Sequence, residues 1–123
     1  MRYVVLIYHN PESLKVWESL SADERHEGLG VYRALNADLE ASGEMVVSHA
    51  LAPPGQGRRI PAADGTGLPT DGPFAEVKEH LAGFYLLECE SLERAAEIAA
   101  RVPEADLGLV EVRPVQDLST FEV

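Results

Sequence analysis

The stretch Thr70–Glu88, TDGPFAEVKEHLAGFYLLE, says most about how this chain folds. It opens on Asp71-Gly72-Pro73, where an Asp that bonds its own backbone, a permissive Gly and a Pro of fixed φ predict a tight turn. From His80 to Glu88 both faces of the predicted strand are apolar, which is typical of a strand in the middle of a sheet. We therefore expect this segment to turn and then enter the centre of a β-sheet.

Three more strands and two helices are predicted around that stretch. The strands are Tyr3–Tyr8, Glu44–Ala52 and Leu109–Val115. Ser21 and Glu24 form a capping box that starts a helix ended by Gly43, and Ser91 starts a second helix that ends at Pro103. The order βαββαβ folds most simply as a four-stranded antiparallel sheet with both helices on one face, an α+β fold.

The remaining segments are short or irregular. Asn10 and Pro11 predict a short helical turn before the first helix, and alternation on Glu44–Ala52 places Met45 and Val47 on the same side of the strand. Residues 53–73 hold five of the ten glycines and five of the eight prolines, so we expect an irregular arm there. Residues 116–123 form a tail, and the whole of 1–123 is expected to be a single domain.

Composition excludes several classes of function. With 10 basic and 21 acidic residues the formal net charge is −11, which disfavours binding to nucleic acid or to an anionic membrane surface. No apolar run is long enough to span a membrane. A single Cys89 fits a reducing compartment, so a cytoplasmic protein is expected. The four His are scattered without ligand spacing and no phosphate-binding loop is present, so we expect neither a metal nor a cofactor.

The predicted fold leaves one face of the sheet uncovered. Both Tyr3–Tyr8 and His80–Glu88 are nevertheless apolar on both faces. A second copy of the same sheet would cover the bare face at the least cost, which predicts a homodimer. The space between the two sheets is then the expected pocket for a small-molecule ligand.

Three pieces of the chain resemble the DGPF-domain branch of the YCII-related superfamily. They are YVVLIY at Tyr3–Tyr8, the run Thr70–Glu88, and VEVRPV at Val110–Val115. The resemblance implies a ferredoxin-like α+β fold that dimerises as an αβ-barrel, usually without an assigned activity. It also implies relatives that act on small aromatic compounds with a His–Asp pair, and genes that often lie near extracytoplasmic-function sigma factors.

The chain departs from that family at the catalytic His. The superfamily His should fall on the first long helix, at the position that Tyr32 occupies here. A tyrosine with an ordinary pKa near 10 is a poor base at neutral pH without help from its surroundings. The His–Asp mechanism therefore does not transfer directly, although Tyr32 remains a candidate catalytic residue.

Other candidate site residues each have a functional and a structural interpretation. Asp71, Glu76 and Lys78 crowd the entrance to the sheet, where they would bind or protonate a small polar substrate; alternatively they tie a turn and form a solvated rim. Tyr8 and Arg113 are expected on the bare face, where Arg113 would hold an anion. Alternatively Tyr8 is a half-buried aromatic residue and Arg113 belongs to an ion pair.

Two functional hypotheses follow from these residues. The first is a cofactor-free enzyme acting on a small polar or aromatic molecule in the intersheet cavity. Its residues would be catalytic Tyr32, Asp71 and Lys78 and substrate-binding Tyr8, Glu76 and Arg113. The second is a non-catalytic accessory or ligand-sensing module associated with sigma-factor-regulated transcription, which the missing His and the long arm favour.

Overall fold

The computed structural model describes residues 1–65 and 78–120 of the chain. The elements in chain order are strand β1 (Arg2–His9), helix α1 (Pro11–Ser19), helix α2 (Ala22–Ser42), strand β2 (Met45–Ala50), strand β3 (His80–Glu88), helix α3 (Leu92–Ala99) and strand β4 (Val110–Pro114). Three short 3₁₀ turns accompany them at Pro54–Gln56, Pro103–Leu107 and Leu118–Thr120. The predicted order of strands and helices is confirmed, with α1 as an additional helix.

The four strands form one antiparallel sheet in the order β2-β3-β1-β4. This is the ferredoxin-like arrangement, in which the two βα halves interleave so that β1 and β3 become the central strands. The apolar character of both faces of His80–Glu88 correctly predicted a central position for β3. It lies between β2 and β1 rather than at an edge of the sheet.

Local capping chemistry determines where α2 begins and ends. The Ser21 hydroxyl accepts from the Glu24 backbone N–H while the Glu24 carboxylate accepts from the Ser21 N–H, so two otherwise unpaired donors are satisfied. At the other end Gly43 has φ 78°, a left-handed conformation that glycine adopts at little cost. Both predicted boundaries of this helix are confirmed.

Helix α1 is longer than the short turn expected at Asn10 and Pro11. The Asn10 side chain accepts from the Ser13 backbone N–H, and the Ser13 hydroxyl accepts from the Asn10 backbone N–H. This capping box starts a helix of nine residues. None of its residues is buried. A methyl group added at Gly28 of α2 would lie 4.0 Å from the Trp17 ring, which indicates that α1 contacts α2 at a position without a side chain.

The core lies between the sheet and the two helices α2 and α3. Its buried members from the strands are Tyr3, Val5, Ile7, Tyr85 and Leu87, and those from the helices and their ends are Leu35, Leu39, Ala95, Ile98, Ala99 and Val102. Val110 and Val112 of β4 pack against it, as their alternation predicted. Burial of this apolar stripe supplies most of the folding free energy.

The opposite face of the sheet carries no helix of the chain. Antiparallel pairing places Val4 beside Leu86 and Leu6 beside Phe84 on this bare face, and all four side chains are only half-buried. This side of the sheet is the bare face.

A bulge in β2 changes one sequence-based expectation. Met45 pairs with Leu87 and Val47 with Leu86, with Val46 as the extra residue between them. Because the bulge reverses the alternation, Met45 packs on the core while Val47 lies on the bare face. The prediction that Met45 and Val47 share a side is therefore wrong, since periodicity alone does not reveal an inserted residue.

In the described ranges 1–65 and 78–120, no helix combines the length and the apolarity that crossing a lipid bilayer requires.

Candidate functional site

A cleft of about 650 Å³ opens on the helix side of the sheet. Its walls come from α1 and the first half of α2, its floor from the ends of β1, β2 and β3, and its far side from the 3₁₀ turn Pro103–Leu107. The apolar wall consists of Leu14, Val16, Trp17, Leu20 and Leu29. Leu14, Val16, Trp17 and Leu29 stay 38–51% exposed, because no other part of the described chain covers them.

The polar part of the cleft centres on Tyr32 and Glu104. The Tyr32 hydroxyl donates to the Glu104 carboxylate, with 2.6 Å between Oη and Oε1. Tyr32 lies on α2 and Glu104 on the 3₁₀ turn, and both are partly buried. Burial, followed by the hydrogen bond and the negative charge of Glu104, raises the pKa of Tyr32 far above its ordinary value.

That shift determines which member of the pair can accept a proton. Because the Tyr32 hydroxyl keeps its proton across the ordinary pH range, it acts as a hydrogen-bond donor and not as a base. Glu104 is then the proton acceptor, and a carboxylate offers about four lone-pair positions, so a ligand can still bind beside Tyr32.

A second hydrogen bond lies deeper in the cleft. Tyr85 of β3 is 2% exposed and donates to Asn36 Oδ1 of α2 across 2.5 Å. Burial raises the pKa of Tyr85, the Ser48 hydroxyl acts in the opposite direction, and the charge of Glu104 adds to the increase. Since the Asn36 oxygen already accepts this bond, its amide N–H groups are the donors that Asn36 offers to a ligand.

The floor of the cleft depends on a close approach of β2 to β3. A methyl group at Gly83 would lie 3.0 Å from the backbone oxygen of His49. Only a residue without a side chain allows this contact without a shift of one strand, so Gly83 fixes the spacing of β2 and β3 in the floor of the cleft.

Tyr32 is the one predicted site residue that lines this cleft among the described residues. Tyr8 and Arg113 lie on the bare face, where Arg113 pairs across strands with Val4 and the Tyr8 hydroxyl donates to Glu111 Oε1 at 2.9 Å. Within one chain the sheet separates Tyr32 from Arg113. The prediction that Tyr32 and Arg113 share a single cavity therefore needs correction. The sequence did not reveal on which side of the sheet Tyr32 of the first long helix lies.

The other three predicted site residues do not join Tyr32. Lys78 is exposed at the bend before β3 and is not among the described residues that line the cleft. Asp71 and Glu76 lie outside the described residues. Their assignment to the sheet entrance stays a prediction.

Glu104 was missed as a site residue. It stands in the segment that follows α3, 72 positions from Tyr32, and no motif surrounds it. The predicted end of the second helix at Pro103 is too late, since α3 ends at Ala99. A partial signal for Glu104 is Pro103 itself, which starts the 3₁₀ turn that packs against α2. Helical periodicity does not distinguish Leu35 from the neighbouring Asn36 as the core residue; Leu35 is buried and Asn36 lines the cleft.

Within the described part of the chain, no three His, Cys, Asp or Glu side chains come together in a way that would hold a metal ion.

Comparison with known proteins adds a family to this geometry. Residues 1–119 match the model of the YCII-related domain. The chain belongs to the YCII-related family. An uncharacterised protein of Rhizobium meliloti (strain 1021) is 35% identical over 120 residues, which cover 94% of this chain and 92% of that protein.

A solved structure of a 5-chloro-2-hydroxyhydroquinone dehydrochlorinase from Burkholderia phenoliruptrix AC1100, in complex with 2,5-dihydroxybenzoquinone, is also similar to this YCII-related chain. The identity is 17% and the TM-score 0.49, with 99% of this chain and 100% of that chain covered.

Proposed function

We propose that this YCII-related protein binds a small, mostly apolar molecule in the cleft on the helix side of the sheet and exchanges a proton with it through Glu104. The observation that carries the proposal is the Tyr32–Glu104 hydrogen bond inside an otherwise apolar cleft. A carboxylate that is partly buried and held by a hydroxyl has a fixed orientation, which general acid–base chemistry requires.

The dimensions and lining of the cleft support a small-molecule ligand. Its volume of about 650 Å³ falls within the range of roughly 300–1,000 Å³ that is typical of ligand sites. Apolar side chains form its outer wall, and a few polar groups converge at its inner end. This combination binds an apolar body and orients one polar group of the ligand.

The two residues of the pair have different roles in the proposal. Glu104 accepts a proton or a hydrogen bond from the ligand, and Tyr32 keeps the carboxylate oriented by donating to it. Asn36 supplies a nearby amide donor whose oxygen is held by Tyr85. The His–Asp pair expected from the superfamily is thus replaced by a Tyr–Glu pair, with the glutamate rather than the residue on α2 as the base.

Binding is tested by obstructing the cleft and comparing a matched variant. Leu29 and Val31 are both 47% exposed on α2, but only Leu29 lines the cleft. We expect Leu29→Trp to weaken binding of neutral 2-phenylethanol by about tenfold or more, and Val31→Trp to leave it unchanged, in calorimetric titrations. Equal losses in the two variants would argue against this location.

Proton exchange is tested with a carbon acid in D₂O. The Glu104 carboxylate would take a proton from the carbon beside the carbonyl group of phenylacetone, exchange it with solvent, and return a deuteron. We expect the protein to accelerate loss of that proton signal in NMR spectra, Glu104→Gln to abolish the acceleration, and Tyr32→Phe to reduce it by about 10- to 100-fold. Unchanged exchange in Glu104→Gln would remove Glu104 from the proposal.

We also propose that the bare face forms a homodimer interface and that the chain falls in the DGPF branch of the family. The branch assignment rests on the DGPF-x-E-x-K-E run at 71–79. The dimer is supported by the half-buried apolar side chains Val4, Leu6, Phe84 and Leu86 at the centre of the bare face.

A further inference from the structure

The charged groups of the cleft are all of one sign. Among the described residues that line it, Glu104 is the single carboxylate, and neither Lys nor Arg is present. The described lining residues also include His9 and His49, but His49 pairs with Phe84 and its ring lies 6.0 Å from the Phe84 ring, on the bare face. The whole chain has a formal net charge of −11, so the long-range field adds to the negative charge of Glu104.

Arg25, which lies over the ring of Trp17 on the apolar wall, is already bound to backbone. Arg25 lies 5.4 Å from the centre of the Trp17 ring, and its guanidinium donates to the carbonyl oxygens of Trp17 and Glu18 at 3.1 and 3.2 Å. It satisfies the end of α1 and does not line the cleft. An anionic ligand would therefore find no basic side chain among the described lining residues.

Three aromatic side chains of the helix side line the cleft. Trp17 lies on the outer wall, Tyr32 beside Glu104, and Tyr85 on the floor. Their π-faces attract cations and pack against other aromatic rings. A carboxylate set among aromatic rings, with no basic side chain, is suited to a ligand that has a positive head and an aromatic body.

We infer that the ligand of this cleft is a small arylalkyl amine that binds as the ammonium ion, with its nitrogen at the Glu104 carboxylate and its ring against the wall around Trp17. The inference rests on the proposed function and names its ligand class. An ammonium group brings three donors, one of which reaches a Glu104 lone pair that Tyr32 leaves free. Charge-assisted bonds of this kind are about twice as strong as neutral ones.

The test compares three molecules of similar size that differ in charge. They are 2-phenylethylamine, neutral 2-phenylethanol and anionic 3-phenylpropanoate, titrated at pH 8 while the fluorescence of Trp17, the one tryptophan of the chain, is followed. We expect the amine to bind at least about tenfold more tightly than the alcohol, and the carboxylate at least about tenfold more weakly than the alcohol.

Two variants identify the source of the preference. Glu104→Gln removes the cleft carboxylate, and Asp106→Asn removes an equal charge two positions away, on an exposed residue that does not line the cleft. We expect the first to bring the amine and alcohol affinities within about threefold while alcohol binding persists, and the second to keep the tenfold preference. Persistent alcohol binding also shows that Glu104→Gln is folded.

Other outcomes overturn the inference in distinguishable ways. Equal affinity for amine and alcohol in the wild-type protein would refute the amine class and leave the proposed ligand cleft standing. Tightest binding of the carboxylate would refute it too and point to a basic group elsewhere. If none of the three molecules binds, the proposed cleft fails together with the ligand class.

Discussion

The two faces of the sheet each present a tyrosine hydrogen-bonded to a glutamate, yet the pairs differ in their surroundings. On the helix side, Tyr32 and Glu104 are partly buried at the inner end of the cleft. On the bare face, the Tyr8 hydroxyl donates to Glu111, which is exposed on β4. Burial is the first cause of the raised pKa of both tyrosines, but only for Tyr32 is the shift large.

The difference shows why a residue pair alone does not define a site. A carboxylate in open solvent keeps its water shell, so a hydrogen bond to it contributes little and is screened by salt. The same pair in a cleft with apolar walls loses much of that water, and its interactions with a ligand become stronger. Sequence patterns point to polar residues on both faces, whereas enclosure distinguishes the two.

The largest expected difference between the faces is in the cost of truncating a leucine. Leu35 is 0% exposed between α2 and the sheet, whereas Leu86 is half-buried on the bare face. We expect Leu35→Ala to lower the free energy of unfolding by about 3 kcal/mol and Leu86→Ala by about 1 kcal/mol at concentrations where the protein is monomeric. Urea unfolding monitored by circular dichroism gives both values, and equal costs would show that the bare face is covered within one chain.

The proposed dimer is tested by placing a charge on the bare face. Leu6→Glu would bury a carboxylate between two sheets, so we expect the dissociation constant of the dimer to rise by about 100-fold or more. Sedimentation at micromolar concentration would report half the wild-type mass for this variant. Val31→Glu, on the exposed side of α2, is the matched control and should keep the wild-type mass. A wild-type protein that sediments as a monomer would refute the dimer itself.

An ion pair between α3 and the start of β2 makes the stability of the fold depend on pH. Glu44, before β2, accepts from Arg94 of α3 at 2.8 and 2.9 Å, and this hydrogen bond lowers the pKa of Glu44 to about 2. The ordinary pKa of the carboxyl group is 4.5, so its contribution is complete above about pH 5 and is lost as the pH falls towards 2.

We expect Glu44→Gln to cost about 1–2 kcal/mol at pH 7 and almost nothing near pH 2, because Arg94 is partly exposed and the pair is partly screened. Unfolding curves collected from pH 7 to 2 would show the variant and the wild type converging. For Glu90→Gln, at an exposed position on the loop before α3, the free energy of unfolding should change with pH as it does in the wild type. A constant difference across this range would contradict the lowered pKa.

The smallest expected effect compares the two tyrosines at alkaline pH. The folded-state pKa of Tyr32 lies above the unfolded value of 10, so its contribution is complete below pH 10 and is lost as the pH rises beyond it. We expect Tyr32→Phe to cost about 1 kcal/mol at pH 7 and Tyr8→Phe about 0.3 kcal/mol, since the second bond is open to water. In an absorbance titration near 295 nm, the wild type and Tyr8→Phe should show the phenol that ionises at the highest pH, and Tyr32→Phe should lack it.

Local sequence signals predicted most of the fold. The capping residues Ser21, Gly43 and Ser91 gave the helix ends, and apolar runs gave the strands, because each of these signals acts over a few residues. The bulge at Val46 and the full length of α1 were missed. A bulge adds a residue without changing composition, and the capping box at Asn10 and Ser13 supports a longer helix than the apolar pattern alone indicated.

The candidate site was less predictable, because its residues come from distant parts of the chain. The sequence by itself determined an α+β chain of the YCII-related type with a strongly negative charge. Only the tertiary structure decided that Tyr32 opens into a cleft on the helix side and meets Glu104, 72 positions away, while Arg113 lies behind the sheet. Capping and periodicity are local properties of the backbone, whereas enclosure and charge pairing depend on how the 3₁₀ turn after α3 packs against α2.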